Sequence, residues 1–384
     1  MKQGRLNIVM DLQWGSTGKG KLAFYLGMKF DANVAICDFQ TNAGHTVVLD
    51  DDRKFVLQQL PVMAIKDDCR LLINPGATLW VDKVLEEIET HKAQKRLTIH
   101  PYAAVVTEKA REWERENLKR ISSTLKGVGA TLGLKTMRHP DVILAKDEPR
   151  LAEWIGDTTA LTHQYLRAGA MVIGESAQGF DLSLNHGHRY PYVTSRDVTP
   201  ASFLSNAGVP VCSVGDIYGC IRTYPIRVGH QLEKMADVPT DMQHLVPDSE
   251  KKFVKVGDSG PIYEDQMELN WEALQRMSGA THSLEERTTV TQKVRRVFTF
   301  SQRQYRRALE VCMPNKVFVN FINHVDARDG GAHTWGELSM KSKQFIDMVN
   351  DIGREVASHS PQLYPSQITH VGTGAKNGEI ITLE

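Results

Sequence analysis

Short apolar runs alternate along the chain with stretches of helical periodicity. The first run, at 6–12, leads through a glycine-rich turn into 21–30, where Leu22, Leu26 and Phe30 recur at every fourth position. Short apolar runs indicate buried strands, and a spacing of three to four residues is typical of an amphipathic helix. A strand, a turn and a helix in this order predict one βα unit of a parallel sheet.

The same pattern continues over the rest of the chain. A helix is predicted over 81–92, with its apolar residues on one face. Further buried strands are predicted at 33–37, 70–73, 171–173, 209–214, 316–321 and 368–371. Strands that alternate with helices form mostly parallel sheets with helices on both faces. We therefore expect one large α/β domain over 1–384 with loop insertions, and a polar, proline-containing excursion or lid at 234–265.

Composition and charge narrow the classes of function. The chain has 384 residues, of which 46 are basic, 46 are acidic and 41% are apolar. An ordinary apolar fraction without net charge argues against a disordered chain. A chain without a cationic excess is not expected to coat nucleic acid. If the protein binds anionic ligands, specific loops must hold them.

The amino-terminal segment and the cysteines favour the cytoplasm. The segment has only a short apolar stretch before glycines and lysines, unlike a signal peptide. No window offers the roughly 20 apolar residues that a membrane helix needs. The five cysteines form no C-x-x-C pair, which is typical of reduced thiols. We expect a cytoplasmic protein that binds neither nucleic acid nor membrane.

A glycine-rich loop follows the first predicted strand and opens the first predicted helix. This phosphate loop, residues 15–21, reads G-S-T-G-K-G-K. Backbone N–H groups at a helix N-terminus bind phosphate oxygens, and lysines add positive charge. Leu22 stands where a Walker loop has the Ser or Thr that holds magnesium, so this is not an ordinary P-loop. We predict a phosphate site; the alternative is a tight turn with solvated lysines.

A second loop follows the next predicted strand and reads T-N-A-G-H-T over 41–46. The carboxyl ends of neighbouring parallel strands lie at one edge of the sheet, where ligands bind. His45 beside a phosphate loop could donate a proton or a hydrogen bond to a reacting oxygen. The alternative is a histidine with a structural role.

Two segments together resemble the opening of adenylosuccinate synthetase. The chain has Q-W-G-S-T-G-K-G-K at 13–21 and N-A-G-H-T at 42–46, where that family has Q-W-G-D-E-G-K-G-K followed by N-A-G-H-T. Further matches follow in family order at 175–179, 190–195, 227–229, 290–296, 326–330 and 372–374. An ordered set over nearly the whole chain is far more specific than any one of its motifs.

The resemblance implies a two-step ligase and a homodimer. The γ-phosphoryl group of a nucleoside triphosphate moves to O6 of a 6-oxopurine nucleotide, and the amino group of L-aspartate then displaces that phosphate at C6. Mg²⁺ bridges the donor phosphates, with Gly44 and Ser16 at the positions of its protein ligands. In-line transfer needs mainly positioning and charge stabilisation, which the loop amides, Lys19 and the metal would supply.

The resemblance also assigns residues to each role by their positions in the motifs. The catalytic residues would be Ser16, Lys19, His45 and Gln178. The purine nucleotide would contact Ser16, Asn42, Thr124, Arg138 (from the partner subunit), Gln178, Thr194 and Val228. The triphosphate would contact Thr17, Gly18, Lys19, Gly20, Lys21, Gly44, His45, Thr46, Asn323, Asp326, Gly372 and Gly374. L-Aspartate would contact Val290, Thr291, Lys293 and Arg295, whose cations suit two carboxylates.

Ser16 is the departure that decides the expected substrate. Ordinary members of the family have an aspartate here, which takes the N1 proton of hypoxanthine. Serine is a poor general base, but it leaves room beside C2 for the 2-amino group of guanine and can accept its hydrogen bond. A phage-encoded branch with Ser or Gly here uses dGMP and gives N6-succino-2-amino-2'-deoxyadenylate, on the route to 2-aminoadenine in phage DNA. Water, a donor-phosphate oxygen or a carboxylate such as Asp11 would then take the N1 proton.

A second departure concerns the triphosphate. Residues 323–326 read N-H-V-D where the family has T-K-L-D to bind the guanine of GTP. Asp326 keeps the carboxylate, but His324 replaces the lysine, so we expect ATP or dATP ahead of GTP. The resemblance to the phage branch would place the protein in the host cytoplasm. Two alternatives stay open: an ordinary adenylosuccinate synthetase using IMP, L-aspartate and GTP, and a non-catalytic nucleotide-binding protein.

Overall fold

Nine strands form the central sheet of the computed structural model, which describes residues 1–234, 253–288, 293–359 and 364–383. In chain order they are β1 (Leu6–Asp11), β2 (Val34–Cys37), β3 (Arg70–Ile73), β4 (Leu97–Ile99), β5 (Val172–Glu175), β6 (Val214–Arg222), β7 (Lys316–Asn320), β8 (Gln367–Gly372) and β9 (Ile380–Thr382). Their order across the sheet is β9-β8-β7-β6-β1-β5-β2-β3-β4. All neighbours are parallel except β8 and β9.

Helices pack on both faces of this sheet. Those of the described residues are α1 (Lys19–Lys29), α2 (Val81–Thr90), α3 (Glu108–Asn117), α4 (Val128–Met137), α5 (Thr158–Arg167), α6 (Pro200–Ala207), α7 (Trp271–Ser278), α8 (Gln302–Cys312) and α9 (Met340–Ser358). Successive residues of a strand point to opposite faces. Val9 accordingly packs in one core with α1 and α2, and Ile8 packs in a second core with α6, α8 and α9. The predicted fold class is confirmed.

The predicted strands agree with the structure to within two residues at each end, with one exception. The strand predicted at 209–214 is wrong, because β6 begins at Val214 and runs to Arg222. Residues Val211–Ser213 form a 3-10 turn directly after Pro210, which has no N–H to donate to a sheet. β4 and β9 were not predicted; each is a three-residue strand at an edge of the sheet.

Smaller antiparallel and mixed sheets decorate the loops. They pair His45–Val48 with Lys54–Leu57, Ile226–Arg227 with Arg296–Phe298 and Glu268–Leu269, Gln231–Lys234 with Phe253–Gly257, and Thr78–Leu79 with Ala104–Val105 and Ile143–Leu144. The predicted excursion at 234–265 starts within the third of these sheets, and its residues 235–252 lie outside the described ranges. Within those ranges, no helix combines the length and apolar character needed to cross a membrane.

The sheet brings the sequence motifs to one edge. The motifs at 13–21, 41–46, 175–179, 323–326 and 372–374 each begin at or shortly after the carboxyl end of a parallel strand. The carboxyl ends of parallel strands share one edge, and that edge is where open α/β sheets bind ligands. Segments that are distant in sequence therefore meet at a single candidate site.

Candidate active site

Asp11, the last residue of β1, organises the phosphate loop. Its buried carboxylate accepts hydrogen bonds from the backbone N–H groups of Gln13 (2.8 Å) and Gly15 (3.2 Å). It also accepts one from the Thr17 hydroxyl (2.5 Å) and lies 3.4 Å from the Lys19 ammonium. Both carboxylate oxygens are thus engaged by the loop itself, which argues against Asp11 as the group that receives a substrate proton.

Backbone conformation in this loop is set by residues with positive φ. Gly18 has a φ of 93°, and a Cβ there would lie 2.1 Å from the amide nitrogen of Asn320. That amide donates a hydrogen bond to the Thr17 carbonyl (3.2 Å) and so ties the loop to β7. Ser16 has a φ of 56°, in the left-handed region where Asn and Asp are enriched. The backbone at Ser16 therefore suits an aspartate, so the serine changes the side-chain chemistry only.

His45 is the buried first residue of its strand and pairs with Glu175 at the carboxyl end of β5. The His45 Nδ1 atom lies 2.7 Å from Glu175 Oε1, and the imidazole stacks on the Phe39 ring at a centroid distance of 3.8 Å. The second oxygen, Glu175 Oε2, accepts a hydrogen bond from the Val62 N–H (3.1 Å). A carboxylate at Nδ1 fixes the orientation of an imidazole and leaves Nε2 for another partner.

Helix α1 packs directly against the histidine strand. A Cβ on Gly20 would lie 3.3 Å from the Thr46 carbonyl and 3.4 Å from the His45 Cβ. The structure thereby places His45, Thr46 and the half-buried Gly44 beside Gly20 of the phosphate loop. These are four of the residues that the resemblance assigns to the triphosphate.

Gln178 and Asn42 come together between β5 and β2. The Gln178 Nε2 atom donates a hydrogen bond to Asn42 Oδ1 (2.7 Å), and Gln178 has a φ of 65°. The next residue approaches the phosphate loop closely, because a Cβ on Gly179 would lie 2.3 Å from the Gln13 carbonyl. Two residues expected at the purine nucleotide are thus in direct contact.

The segment that carries Thr124 lies beside these residues, whereas Arg138 is on the surface. The Thr41 hydroxyl donates to the Lys126 carbonyl (3.2 Å), which joins the loop of Asn42 to the loop of Thr124. Arg138 is exposed and ends α4 as its C-cap. An exposed position is compatible with the expected contribution to a partner subunit.

Arg227 joins the segments of Thr194 and Val228. Its guanidinium donates to the carbonyls of Tyr192 (3.2 Å) and Pro261 (3.1 Å) and lies 4.9 Å from the centre of the Trp14 ring. Burial lowers the pKa of Arg227 to about 10. Arg227 was not among the residues expected to act here, although it belongs to a motif that the resemblance identified.

The carboxyl-terminal loop is held against α1. The Lys21 ammonium donates to the carbonyls of Gly374 (2.7 Å) and Glu379 (2.9 Å), and burial lowers the pKa of Lys21 to about 7. A Cβ on Gly372 would lie 2.1 Å from Asn320 Oδ1. Lys21 therefore connects the phosphate loop to the loop of Gly374, as well as being a candidate phosphate ligand, whereas Gly372 packs against Asn320.

In the donor-base segment, residues 323–326, the carboxylate that was expected to bind the donor base is already paired with an arginine of the same chain. The Asp326 carboxylate accepts hydrogen bonds from Arg328 Nε (3.0 Å) and Nη2 (2.7 Å), and these bonds lower the pKa of Asp326 to about 2. Burial lowers the pKa of His324 to about 4, so its imidazole is neutral at pH 7. Asn323 Oδ1 and His324 Nδ1 are buried without a hydrogen-bond partner among the described residues.

Of the expected aspartate residues, Val290 and Thr291 fall outside the described ranges, whereas Lys293 and Arg295 lie within them. Residues 286–288 and 293–295 run antiparallel, and we call these two described arms the aspartate hairpin. The Arg295 N–H donates to the Glu286 carbonyl (2.9 Å) at the stem of this hairpin. The Lys293 ammonium contacts the side-chain oxygen of Gln231. Burial lowers the pKa values of Lys293 and Arg295. Two of the four expected residues are thus placed near each other on one element.

The described residues do not form a metal site from side chains alone. No three His, Cys, Asp or Glu side chains in those ranges converge as ligands. Mg²⁺ is commonly bound through substrate phosphates, waters and one or two protein oxygens. The Gly44 carbonyl and the Ser16 hydroxyl supply oxygens of that kind, so the donor set fits a metal that arrives with the triphosphate.

Comparison with known proteins agrees with this arrangement. The sequence model of the family described as adenylosuccinate synthetase matches residues 8–145 and 143–330. The N6-succino-2-amino-2'-deoxyadenylate synthase of Vibrio phage phiVC8 is 35% identical over 332 residues, which are 83% of this chain and 86% of that protein. The adenylosuccinate synthetase of a Pyrococcus species is 28% identical over 351 residues, which are 90% of this chain and 91% of that protein.

A solved structure extends the likeness to three dimensions. The succinoaminodeoxyadenylate synthetase of cyanophage S-2L, solved bound to dGMP and to dATP as an energy donor, superposes with a TM-score of 0.73 at 29% identity. The superposition covers 98% of this chain and 95% of that one. The sequence matches and the shared fold lead to one conclusion: this chain belongs to the adenylosuccinate synthetase family.

Proposed function

We propose that this chain is a ligase that joins dGMP to L-aspartate and hydrolyses ATP or dATP. The reaction passes through a 6-phosphoryl intermediate and gives N6-succino-2-amino-2'-deoxyadenylate for the synthesis of 2-aminoadenine in phage DNA. The observation that carries this proposal is the serine at position 16, on a loop backbone that would equally accept an aspartate. The greater identity to a phage enzyme of that name than to an adenylosuccinate synthetase supports it.

In the first step, O6 of the purine attacks the γ-phosphorus of the triphosphate, the bond from that phosphorus to the bridging oxygen breaks, and the nucleoside diphosphate leaves. Loop amides and Lys19 bind the phosphates and stabilise the charge that is spread over the transferring group. His45, oriented by Glu175 at 2.7 Å, presents Nε2 to the phosphorylated oxygen. Gly44 and Ser16 would hold a Mg²⁺ ion that arrives with the triphosphate, and the metal would supply positive charge at the phosphates.

Ser16 sets the choice of purine. Its hydroxyl lies on the phosphate loop and is short enough to leave space for an amino group at C2. It accepts a hydrogen bond from that group, whereas hypoxanthine has only hydrogen there. Because the loop already engages Asp11, the N1 proton passes to water or to an oxygen of the donor phosphates.

The donor-base segment favours adenine over guanine. Arg328 occupies both oxygens of Asp326, so that the N1–H and 2-amino group of a guanine would have to displace it. Asn323 Oδ1 is buried and has no hydrogen-bond partner within the described part of the chain, so it is an acceptor that suits the 6-amino group of adenine. We expect dATP or ATP to serve as donor ahead of GTP.

In the second step, L-aspartate attacks C6 and releases phosphate. Lys293 and Arg295, with Val290 and Thr291, would hold its carboxylates so that its amino group faces the purine. The active form would be a homodimer of single-domain subunits in the host cytoplasm. Arg138 of each subunit would contact the nucleotide phosphate of the other.

The decisive test is the dependence of phosphate release on each substrate. With the full chain, dGMP, L-aspartate, dATP and Mg²⁺, we expect phosphate release only when all are present, and a product with the mass of N6-succino-2-amino-2'-deoxyadenylate. His45→Asn is the inactive control. Phosphate release with IMP but not dGMP would indicate an ordinary adenylosuccinate synthetase. Nucleotide binding without turnover would indicate a non-catalytic protein.

A further inference from the structure

Arg222, the last residue of β6, is a fully buried cation at the centre of the site. Its Nη1 atom donates a hydrogen bond to the Ser16 carbonyl (3.2 Å) and another to Glu286 Oε2 (3.2 Å). Its Nη2 atom donates to the other Glu286 oxygen. One guanidinium thus bridges the phosphate loop and the stem of the aspartate hairpin.

Glu286 is where the hairpin is fixed to the sheet. Its carbonyl accepts the Arg295 N–H (2.9 Å), and Arg287 pairs with Val294 one position further along the hairpin. Although burial alone would raise it, the charge and hydrogen bonds of Arg222 hold the pKa of Glu286 below its ordinary value. The side chain is therefore an ionised anchor at the base of the two described arms of the hairpin.

Two more contacts fix the position of Arg222. The Gln13 side chain accepts from the Arg222 N–H (3.0 Å) and donates to the Arg222 carbonyl (3.2 Å). The guanidinium carbon lies 4.1 Å from the centre of the Phe321 ring, just before the donor-base segment. A buried ion pair is often no more stabilising than apolar residues of the same shape. The ion pair of Arg222 and Glu286 is therefore better explained by the positions that it fixes than by a contribution to stability.

We propose that Arg222 is a positioning residue that sets the aspartate hairpin relative to Ser16. The inference rests on the proposed function, in which the nucleotide lies at Ser16 and L-aspartate on the hairpin. Arg222 is fully buried and acts through these two groups instead of touching substrate. Because the same cation contacts both groups, its loss should displace the residues that bind L-aspartate relative to the nucleotide.

The test replaces the whole ion pair, so that no unpaired charge is left in the interior. In the full-length enzyme, Arg222→Met with Glu286→Leu should keep the melting temperature close to that of the wild type, because a paired charge is exchanged for apolar groups. We expect KM for L-aspartate to rise by about tenfold or more, since small misplacement of a reactant is costly. KM for dGMP should change by less than about threefold, because Asp11 and Asn320 still hold the phosphate loop in place. Arg222→Lys, which keeps the charge but loses the fork, should give an intermediate KM for L-aspartate.

A matched control removes an ion pair elsewhere. Arg306 and Glu355 form such a pair between α8 and α9, and Arg306→Met with Glu355→Leu should leave both KM values unchanged. The proposal is overturned if the Arg222 and Glu286 variant keeps its KM for L-aspartate, or if both KM values rise equally with a loss of thermal stability. A wild-type chain that uses IMP instead of dGMP would reject the proposed substrate. The same variants assayed with IMP would then still decide the role of Arg222.

Discussion

At position 16 the side chain can be changed while the backbone conformation of the loop is kept. Ser16 has a left-handed backbone with a φ of 56°, and its carbonyl is held by Arg222 at 3.2 Å. Asp and Asn tolerate this conformation, so a substitution here changes the side chain without forcing the loop to move. Position 16 is therefore well suited to test how the purine is chosen.

Ser16→Asp should shift preference from dGMP toward IMP. The longer, charged side chain would occupy the space beside C2 and restore a base for the N1 proton. The ratio of kcat/KM for dGMP to that for IMP should fall by about tenfold or more. Ser16→Asn, which has the same shape without the charge, separates crowding from base catalysis. An unchanged kcat/KM for dGMP in Ser16→Asp would contradict the steric argument.

Glu175→Gln should lower kcat with little change in either KM. The amide can still accept the Val62 N–H, but it loses the charge that orients His45. Loss of such a partner is expected to reduce kcat by about 10- to 100-fold. Glu87→Gln is the matched control, because Glu87 is a buried glutamate that accepts three backbone N–H groups. If the two variants lower only the melting temperature, Glu175 has a structural role alone.

The sequence identified residues that lie in local motifs and missed those that act across the sheet. His45 and the loop lysines could be identified because they follow strands in recognisable strings. The pairing of His45 with Glu175 joins the short strand His45–Val48 to β5, and the two residues are 130 positions apart in the chain. Strand order alone brings such residues together, and a single sequence does not contain it.

At the level of elements, α1 and the loop after β8 are joined by one buried lysine. The Lys21 ammonium bonds two carbonyls of that loop, and burial lowers its pKa to about 7. Below pH 7 the lysine is charged in both the folded and the unfolded state. Between pH 7 and the ordinary value of 10.5, the folded chain releases a proton that the unfolded chain keeps, so stability rises with pH.

The Lys21→Met variant tests whether Lys21 makes the stability of the folded chain rise with pH. We expect the free energy of unfolding of the wild type, relative to that of Lys21→Met, to increase from pH 7 to pH 9. Urea unfolding at several pH values measures that difference, and other titrating groups cancel between the two proteins. A difference that stays constant or falls with pH would show that Lys21 keeps its proton in the folded state.

The error in β6 shows what limits prediction of elements. Apolar runs located the other parallel strands of the sheet interior, of which β2 and β3 are almost wholly apolar. β6 is a central strand, but it carries Asp216 and Arg222, while the apolar run before it contains Pro210. Both charges have partners that a single sequence does not reveal: Asp216 binds the amino terminus, and Arg222 binds Glu286. The two charged residues within β6 and the proline before it thus made this strand hard to locate from the sequence.

For the whole molecule, the exposed Arg138 is the residue that would require a second subunit. If each site combines His45 of one subunit with Arg138 of the other, two inactive variants should complement each other. An equal mixture of Arg138→Ala and His45→Asn, exchanged into mixed dimers, should recover about a quarter of wild-type activity, because half the dimers have one intact site of two. Activity no greater than the mean of the two parents would show that Arg138 does not act in the site of the partner subunit.

The net charge of zero conceals an edge of the sheet where Lys19, Lys21, Arg222 and Arg295 converge on loops expected to bind anions. The central claim is that this site, with serine at position 16, selects dGMP. The most direct measurement is kcat/KM for dGMP and for IMP, with dATP and L-aspartate at saturation. We predict that kcat/KM is about 100-fold higher for dGMP than for IMP. A preference for IMP would contradict the account.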